Sequence, residues 1–318
     1  MKEKFLGTIL GCAVGDALGA PFEGLRGSVI RTEENLVKGY KKIPNYPLGQ
    51  YTDDTQLTLA LAETYIANRC FKGTDFARRL AELWAKGEII GAGRSCTDAV
   101  RNIQRGKRWQ EAGTEEGRTG NGTAMRASPV GLWNYDTPDQ LKKDAIFQSQ
   151  VTHRDSRAKA GACAVAWAVA YNLTHERMDA EEFISGVAEF VKDVNEEFSR
   201  HLARLSKWLE KDEHIAILEI SCAGWIDPPR WIDMVTPFVI PTVLIALYNF
   251  LRSPKDFSLT LERTLRVGGD TDTTCAIAGA ISGSFNGVSA IPEQLLLDLY
   301  QRDLIENTAL RLWQAKQS

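Results

Sequence analysis

Apolar side chains recur at helical spacing along most of this chain. No stretch alternates apolar with polar residues for long enough to make a sheet. Residues 4–18 read as a helix that packs closely through the small residues Gly7, Gly11, Ala13 and Gly15. Residues 54–68 put Leu57, Ala60, Leu61, Thr64 and Tyr65 on one face. Residues 74–86 space Phe76, Leu80, Leu83 and Trp84 helically behind an N-cap at Thr74. Helices are also expected over 96–105, 138–151, the Ala-rich 155–173, 179–194, 198–210 and 214–221. After the Pro228-Pro229 break come 237–251, 258–268, 271–283 and 292–316. The expected fold is all-α, with about a dozen helices in a single domain over residues 1–318.

Two stretches resist a helical reading. Residues 21–51 and 107–126 are rich in glycine and charge. Loops of that length inside a compact domain are usually functional or disordered.

Two acidic clusters adjoin the helical segments. Thr52-Asp53-Asp54-Thr55 ends the first long loop and opens a helix. Gly268-Gly269-Asp270-Thr271-Asp272-Thr273-Thr274 breaks one helix and opens another. Each alone fits an N-cap, because a helix N-terminus attracts carboxylates. Together they hold more carboxylates and hydroxyls than two caps use. Converging aspartates repel, and their oxygens are hard ligands suited to Mg2+, Mn2+ or Ca2+. A third segment, Gly15-Asp16-Ala17-Leu18-Gly19-Ala20-Pro21-Phe22-Glu23, sets an isolated Glu23 behind a glycine-rich helix end. Asp16 reads as a residue that holds a turn.

An ordered set of motifs resembles the ADP-ribosylglycohydrolase family. It runs from G-D-A-L-G-A-P-x-E (15–23) through T-D-D-T (52–55), G-N-G-x-A-M-R (120–126) and Thr152-His153 to G-G-D-T-D-T (268–273). The resemblance covers about residues 4–300 and implies an orthogonal helical bundle with two divalent cations, Mg2+ or Mn2+. The implied metal ligands are Glu23, Thr52, Asp53, Asp54, Asp270, Asp272 and Thr273. Five carboxylates would then face four positive charges. The implied reaction is hydrolysis of the bond between the distal ribose of ADP-ribose and an acceptor, with Glu23 and Asp270 as the leading catalytic carboxylates. Gly120, Asn121, Gly122 and Thr123 correspond to a diphosphate-binding loop, Gly91 and Gly93 to a ribose-lining segment. His153 corresponds to a contact with the adenosine end. Met125 and Arg126 are expected to pack or brace the loop rather than touch substrate, and Asp98 to be a surface carboxylate.

Alternatives on the same site are hydrolysis of another ADP-ribose-type small molecule, and a non-catalytic binding or structural role. The acceptor stays open among arginine, serine, another side chain, a nucleic-acid end and a free metabolite. The segment 225–231 is a possible part of the rim.

The chain is 44% hydrophobic and 25% charged with net charge −3, and has no basic run of five or more. Nucleic acid is therefore not an obvious general partner. The apolar stretch 234–251 contains Pro237, Pro241 and Asn249 and reads as a buried helix rather than a membrane span. The N-terminal apolar stretch is broken by Asp16 and lacks a signal-peptide core. None of the six cysteines forms a C-x-x-C pair, so they read as small core residues in a reducing compartment. A cytoplasmic monomer without a membrane partner is expected.

Overall fold

The computed structural model describes residues 1–228 and 233–317. Those residues form eighteen α-helices and two 3-10 turns, and no strand. The number exceeds a dozen because five of the helices are shorter than eight residues.

Two long helices form the axis of the fold. The N-terminal helix, Lys2–Gly19, is buried from Phe5 to Gly19. It runs antiparallel to Thr271–Asn286, which is buried from Thr271 to Phe285. Their contact is backbone against backbone. A β-carbon added at Gly7, Gly11, Gly15 or Gly19 would collide with the carbonyl oxygen of Gly283, Gly279, Cys275 or Thr271 respectively. The pairs step four residues down one helix and four up the other, so small residues set both the closeness and the register. Thr271 Oγ1 donates to the Gly19 carbonyl at 2.9 Å and closes the seam at its site end. The N-terminal helix is long and apolar enough to cross a membrane, yet it lies almost wholly inside the protein.

The helix Ser156–Thr174 packs on the second of these, Thr271–Asn286, and is buried along most of its length. Its N-cap is Asp155, which accepts from Arg157 N at 2.9 Å. Helix Asp53–Asn68 packs against the N-terminal helix and against the last helix, Arg302–Gln317. Helix Val239–Arg252 is buried from Val239 to Leu251, as expected for the apolar stretch there.

Several expected elements differ in detail. The helix at 74–86 starts at Gly73 and has no side-chain cap from Thr74; Gly73 lies flat against the Trp109 indole, which lets the chain turn into the helix early. The segment 198–210 divides into Glu196–Ala203 and Leu205–Leu209. The segment 292–316 divides into Glu293–Leu297 and Arg302–Gln317, with Gln301 at φ 51° in the break. That break anchors the long loop 21–51. Tyr300 N donates to Gly49 O, Tyr51 Oη donates to Gln301 Oε1 at 2.7 Å, and Tyr40 Oη donates to Leu295 O at 2.9 Å. A wholly buried helix, Ser128–Asn134, gave no usable periodicity because it spans seven residues with Pro129 and Gly131 among them. The six cysteines are all free, and Cys12, Cys96, Cys163 and Cys275 are buried.

The seam generates a stability prediction. Gly11→Val or Gly279→Val should destabilise the fold by about 3 kcal/mol or more, the upper part of the overpacking range, because backbone cannot move aside. Gly39→Ala, which meets open space, should change stability by less than about 0.5 kcal/mol. Urea unfolding monitored by circular dichroism measures both.

Candidate metal and substrate site

The seam ends where the acidic clusters begin. Asp16, one turn before the end of the N-terminal helix, is fully buried and points at the start of Asp53–Asn68. Its Oδ1 accepts from Thr52 N at 3.0 Å and from Thr52 Oγ1 at 2.9 Å. Its Oδ2 accepts from Thr55 N at 3.0 Å and from Thr55 Oγ1 at 2.6 Å. Asp16 thus satisfies a helix N-terminus from another helix, the work expected of Thr52 or Asp53. Neither of those caps with its own side chain.

The second cluster is held by Gly268 and Gly269, at φ 78° and 88°. Gly269 N donates to Leu25 O, and Gly24 N to Gly269 O, both at 2.8 Å. On the other side Val235 N donates to Gly268 O and Asp270 N to Val235 O. Positive φ and the closeness of these neighbours admit only glycine at both positions. The pair pins the segment after Glu23 beside Asp270. Asp270 opens helix Thr271–Asn286 without capping it.

The outcome is a cavity of about 230 Å3 whose lining includes Glu23, Asp53, Asp54, Asp270, Asp272 and Thr273. Carboxylate oxygens of Glu23, Asp270 and Asp272 all lie within 4.8 Å of one another. The four aspartates are buried, whereas Glu23 is exposed at the mouth. Burial raises every carboxyl in the cluster, and neighbouring charge adds to it for most. Asp53 is pushed up to about 8 by burial and by the charges of Asp16, Asp270 and Glu23. Asp54 and Asp272 stand well above the usual carboxylate range, and Asp270 and Glu23 are raised. Asp54 Oδ1 is buried with no hydrogen-bond donor. A dense set of hard oxygens, one of them orphaned, fits a divalent cation.

The same cavity is also lined by Gly91, Gly93, Gly120, Asn121, Gly122 and His153, together with Arg94, Ser95, Cys96, Met125 and Pro237. Gly91 sits against Asp53 and Thr52; a β-carbon there would stand 3.4 Å from Asp53 Oδ1. Asn121 is fixed by its N–H to Pro237 O, and its Nδ2 donates to Asp270 Oδ2 and to Thr242 Oγ1. His153 lies beneath Gly120 and Gly122, with Nδ1 2.9 Å from Thr152 Oγ1. Burial and the Arg126 charge lower it to about 3, so its ring is neutral at ordinary pH.

Two expected site residues are not brought to the cavity wall. Thr123 turns its hydroxyl to Ala158 O at 2.7 Å inside the protein, where it supports the glycine loop from behind. Thr52 lies behind the wall, with its hydroxyl between Asp16 and Asp54. Met125 packs in the core, as expected, and also contributes to the cavity lining. Arg126 does brace: its buried guanidinium donates to Gln148 Oε1, Gln148 O and Thr152 Oγ1. Asp98 pairs with Arg118 at 3.4 Å and Arg101 at 3.6 Å on the surface. Of the segment 225–231, residues 229–231 lie outside the described residues; Trp225 packs edge-on against Phe238, next to the lining residue Pro237.

These shifts fix the sign of a pH effect. A carboxyl at about 8 in the folded chain and about 4 unfolded holds its proton longer when folded. Its stabilising contribution is complete below about pH 4 and is lost as pH rises through about 8. Metal-free protein should therefore melt at lower temperature at about pH 8 than at about pH 5, and saturating Mg2+ or Mn2+ should offset that loss. Thermal melts with EDTA and with metal measure this; equal slopes in both would argue against a cation at the cluster.

The sequence and fold have close counterparts. The family model for ADP-ribosylglycohydrolase matches residues 1–318. An uncharacterized protein of Archaeoglobus fulgidus is 32% identical over 99% of this chain and 97% of its own length. The ADP-ribosyl-[dinitrogen reductase] glycohydrolase of Rhodospirillum rubrum is 27% identical over 94% of this chain and 91% of its own. A solved structure described as an ADP-ribosylglycohydrolase-related protein complex superposes with a TM-score of 0.76 at 27% identity, covering 99% of this chain and 98% of that one. The chain belongs to the ADP-ribosylglycohydrolase family, glycosidases that hydrolyse ADP-ribose linkages.

Proposed function

We propose that this protein releases ADP-ribose from a modified acceptor, with two divalent cations, Mg2+ or Mn2+, held by Glu23, Thr52, Asp53, Asp54, Asp270, Asp272 and Thr273, the Thr52 hydroxyl reaching them from beside Asp54. The observation that carries this is the convergence of Glu23, Asp270 and Asp272 in a single cavity that Asp53 and Asp54 also line. Bound there, the cations would supply Lewis-acid polarisation and a template for vicinal hydroxyls and water. The Rhodospirillum relative is named for an ADP-ribosylated protein substrate, and an ADP-ribosylated protein is the corresponding partner proposed here.

The carboxylates are suited to different tasks. Asp270 is buried and tied to Asn121, so its orientation is fixed. Glu23 sits at the mouth on a loop, within reach of water, and its carboxyl is raised by burial and by Asp270. Glu23 is the group that exchanges a proton with the reacting water or leaving group, and Asp270 orients the reacting centre. Gly91 and Gly93 admit close approach of a sugar ring beside Asp53. Gly120 and Gly122, supported from below by neutral His153, offer backbone N–H groups to an anionic diphosphate. All five carboxylates implied by the family motifs are present, which favours catalysis over a purely structural role.

The test is a release assay on arginine-, serine- and otherwise-linked ADP-ribose, with and without metal. Activity is expected on at least one linkage with Mg2+ or Mn2+. Asp53→Ala and Asp272→Ala should each lower the rate by at least about 100-fold while keeping a helical fold. Full turnover in excess EDTA would sink the metal-dependent reading.

A further inference from the structure

The structure also points to a residue outside the ligand set. We propose that Asp16 is a positioning residue that orients the Thr52 hydroxyl toward the cation site; this rests on the metal reading above. Thr52 Oγ1 lies 2.9 Å from Asp16 Oδ1 and 3.1 Å from Asp54 Oδ2, and it has one proton to give. Asp16 Oδ1 also accepts the Thr52 N–H, so that oxygen and Thr52 form a closed pair of bonds. Giving its proton to Asp16 leaves the Thr52 oxygen with lone pairs facing Asp54, the arrangement a hard cation requires and a bare carboxylate repels. Asp54 Oδ1, buried without a donor, lies on that same carboxylate.

The same contacts free the aspartates from capping. Asp16 takes the N–H groups of Thr52 and Thr55, so neither Asp53 nor Asp54 is drawn back onto its own helix. Its place is set by the helix seam, since Gly15 and Gly19 on either side of it press on Cys275 and Thr271. Asp16 thereby ties the spacing of the two helices to the orientation of a hydroxyl in the site. Outer partners that orient metal ligands generally matter by 10–100-fold in affinity.

The test titrates Mn2+ into metal-free full-length protein and reads affinity by calorimetry. Asp16→Asn, which replaces one acceptor with an N–H donor, should weaken Mn2+ binding by about 10–100-fold. Thr55→Val removes another Asp16 bond but leaves the Thr52 proton where it is. It should lower the melting temperature yet keep Mn2+ affinity within about twofold of wild type. Thr52→Val should match Asp16→Asn, and it decides the matter if Asp16→Asn does not fold. Wild-type affinity in Asp16→Asn or in Thr52→Val overturns the assignment, as does a loss in Thr55→Val equal to that in Asp16→Asn. A wild-type protein that takes up no Mn2+ overturns the metal reading itself, which is a distinct result.

Discussion

Backbone contact between helix Lys2–Gly19 and helix Thr271–Asn286 is the constraint on which the site depends. Small residues at four-residue spacing let the two helices meet carbonyl against Cα, and the antiparallel register then admits little slip. Gly19 meets Thr271, so the end of one helix lies at the start of the other. Asp16 lies in the first helix and Glu23 just beyond its end; Asp270 immediately precedes the second and Asp272 lies in its first turn. Two segments at opposite ends of the chain become neighbours because of a stripe of missing side chains. Helix Asp53–Asn68 is attached to this pair through Asp16.

The electrostatics follow from that geometry. Bringing Asp16, Asp53, Asp54, Asp270 and Asp272 together in a buried place raises every one of their carboxyls. Hydrogen bonds relieve Asp16, which rises only to about 6 against four threonine donors. The other four have fewer donors, and one oxygen of Asp54 has none. A fold that tolerates such a concentration of acid is arranged for positive charge, and two divalent ions would offset most of it. Stability and ion binding are then coupled by mass action.

Much of this was legible in the sequence. Helical periodicity placed the long elements to within a few residues, because apolar faces at 3.6-residue spacing leave little choice. The glycines at 7, 11 and 15 signalled a close contact but not its partner, since spacing within one helix says nothing about what lies across it. The acidic clusters and Glu23 stood out because their carboxylates exceed the needs of capping. Asp16 reads in sequence as the holder of a turn; the turn it holds belongs to a helix beginning 37 residues later in the chain, a long-range bond that no local pattern encodes. Thr123 looked like part of the phosphate loop, yet its hydroxyl faces inward. A loop's residues alternate between ligand and interior according to backbone turns that sequence does not display.

The central claim is that the helix seam assembles the cation site. Mn2+ titration of metal-free wild-type protein and of Gly15→Ala, both verified as folded by circular dichroism, tests it most directly. The variant keeps every proposed ligand but places a methyl group against the Cys275 carbonyl. Two ions per chain are expected for wild type, and a clear loss of affinity for the variant. Equal stoichiometry and affinity in the two proteins, or no ion bound by wild type, would contradict the claim.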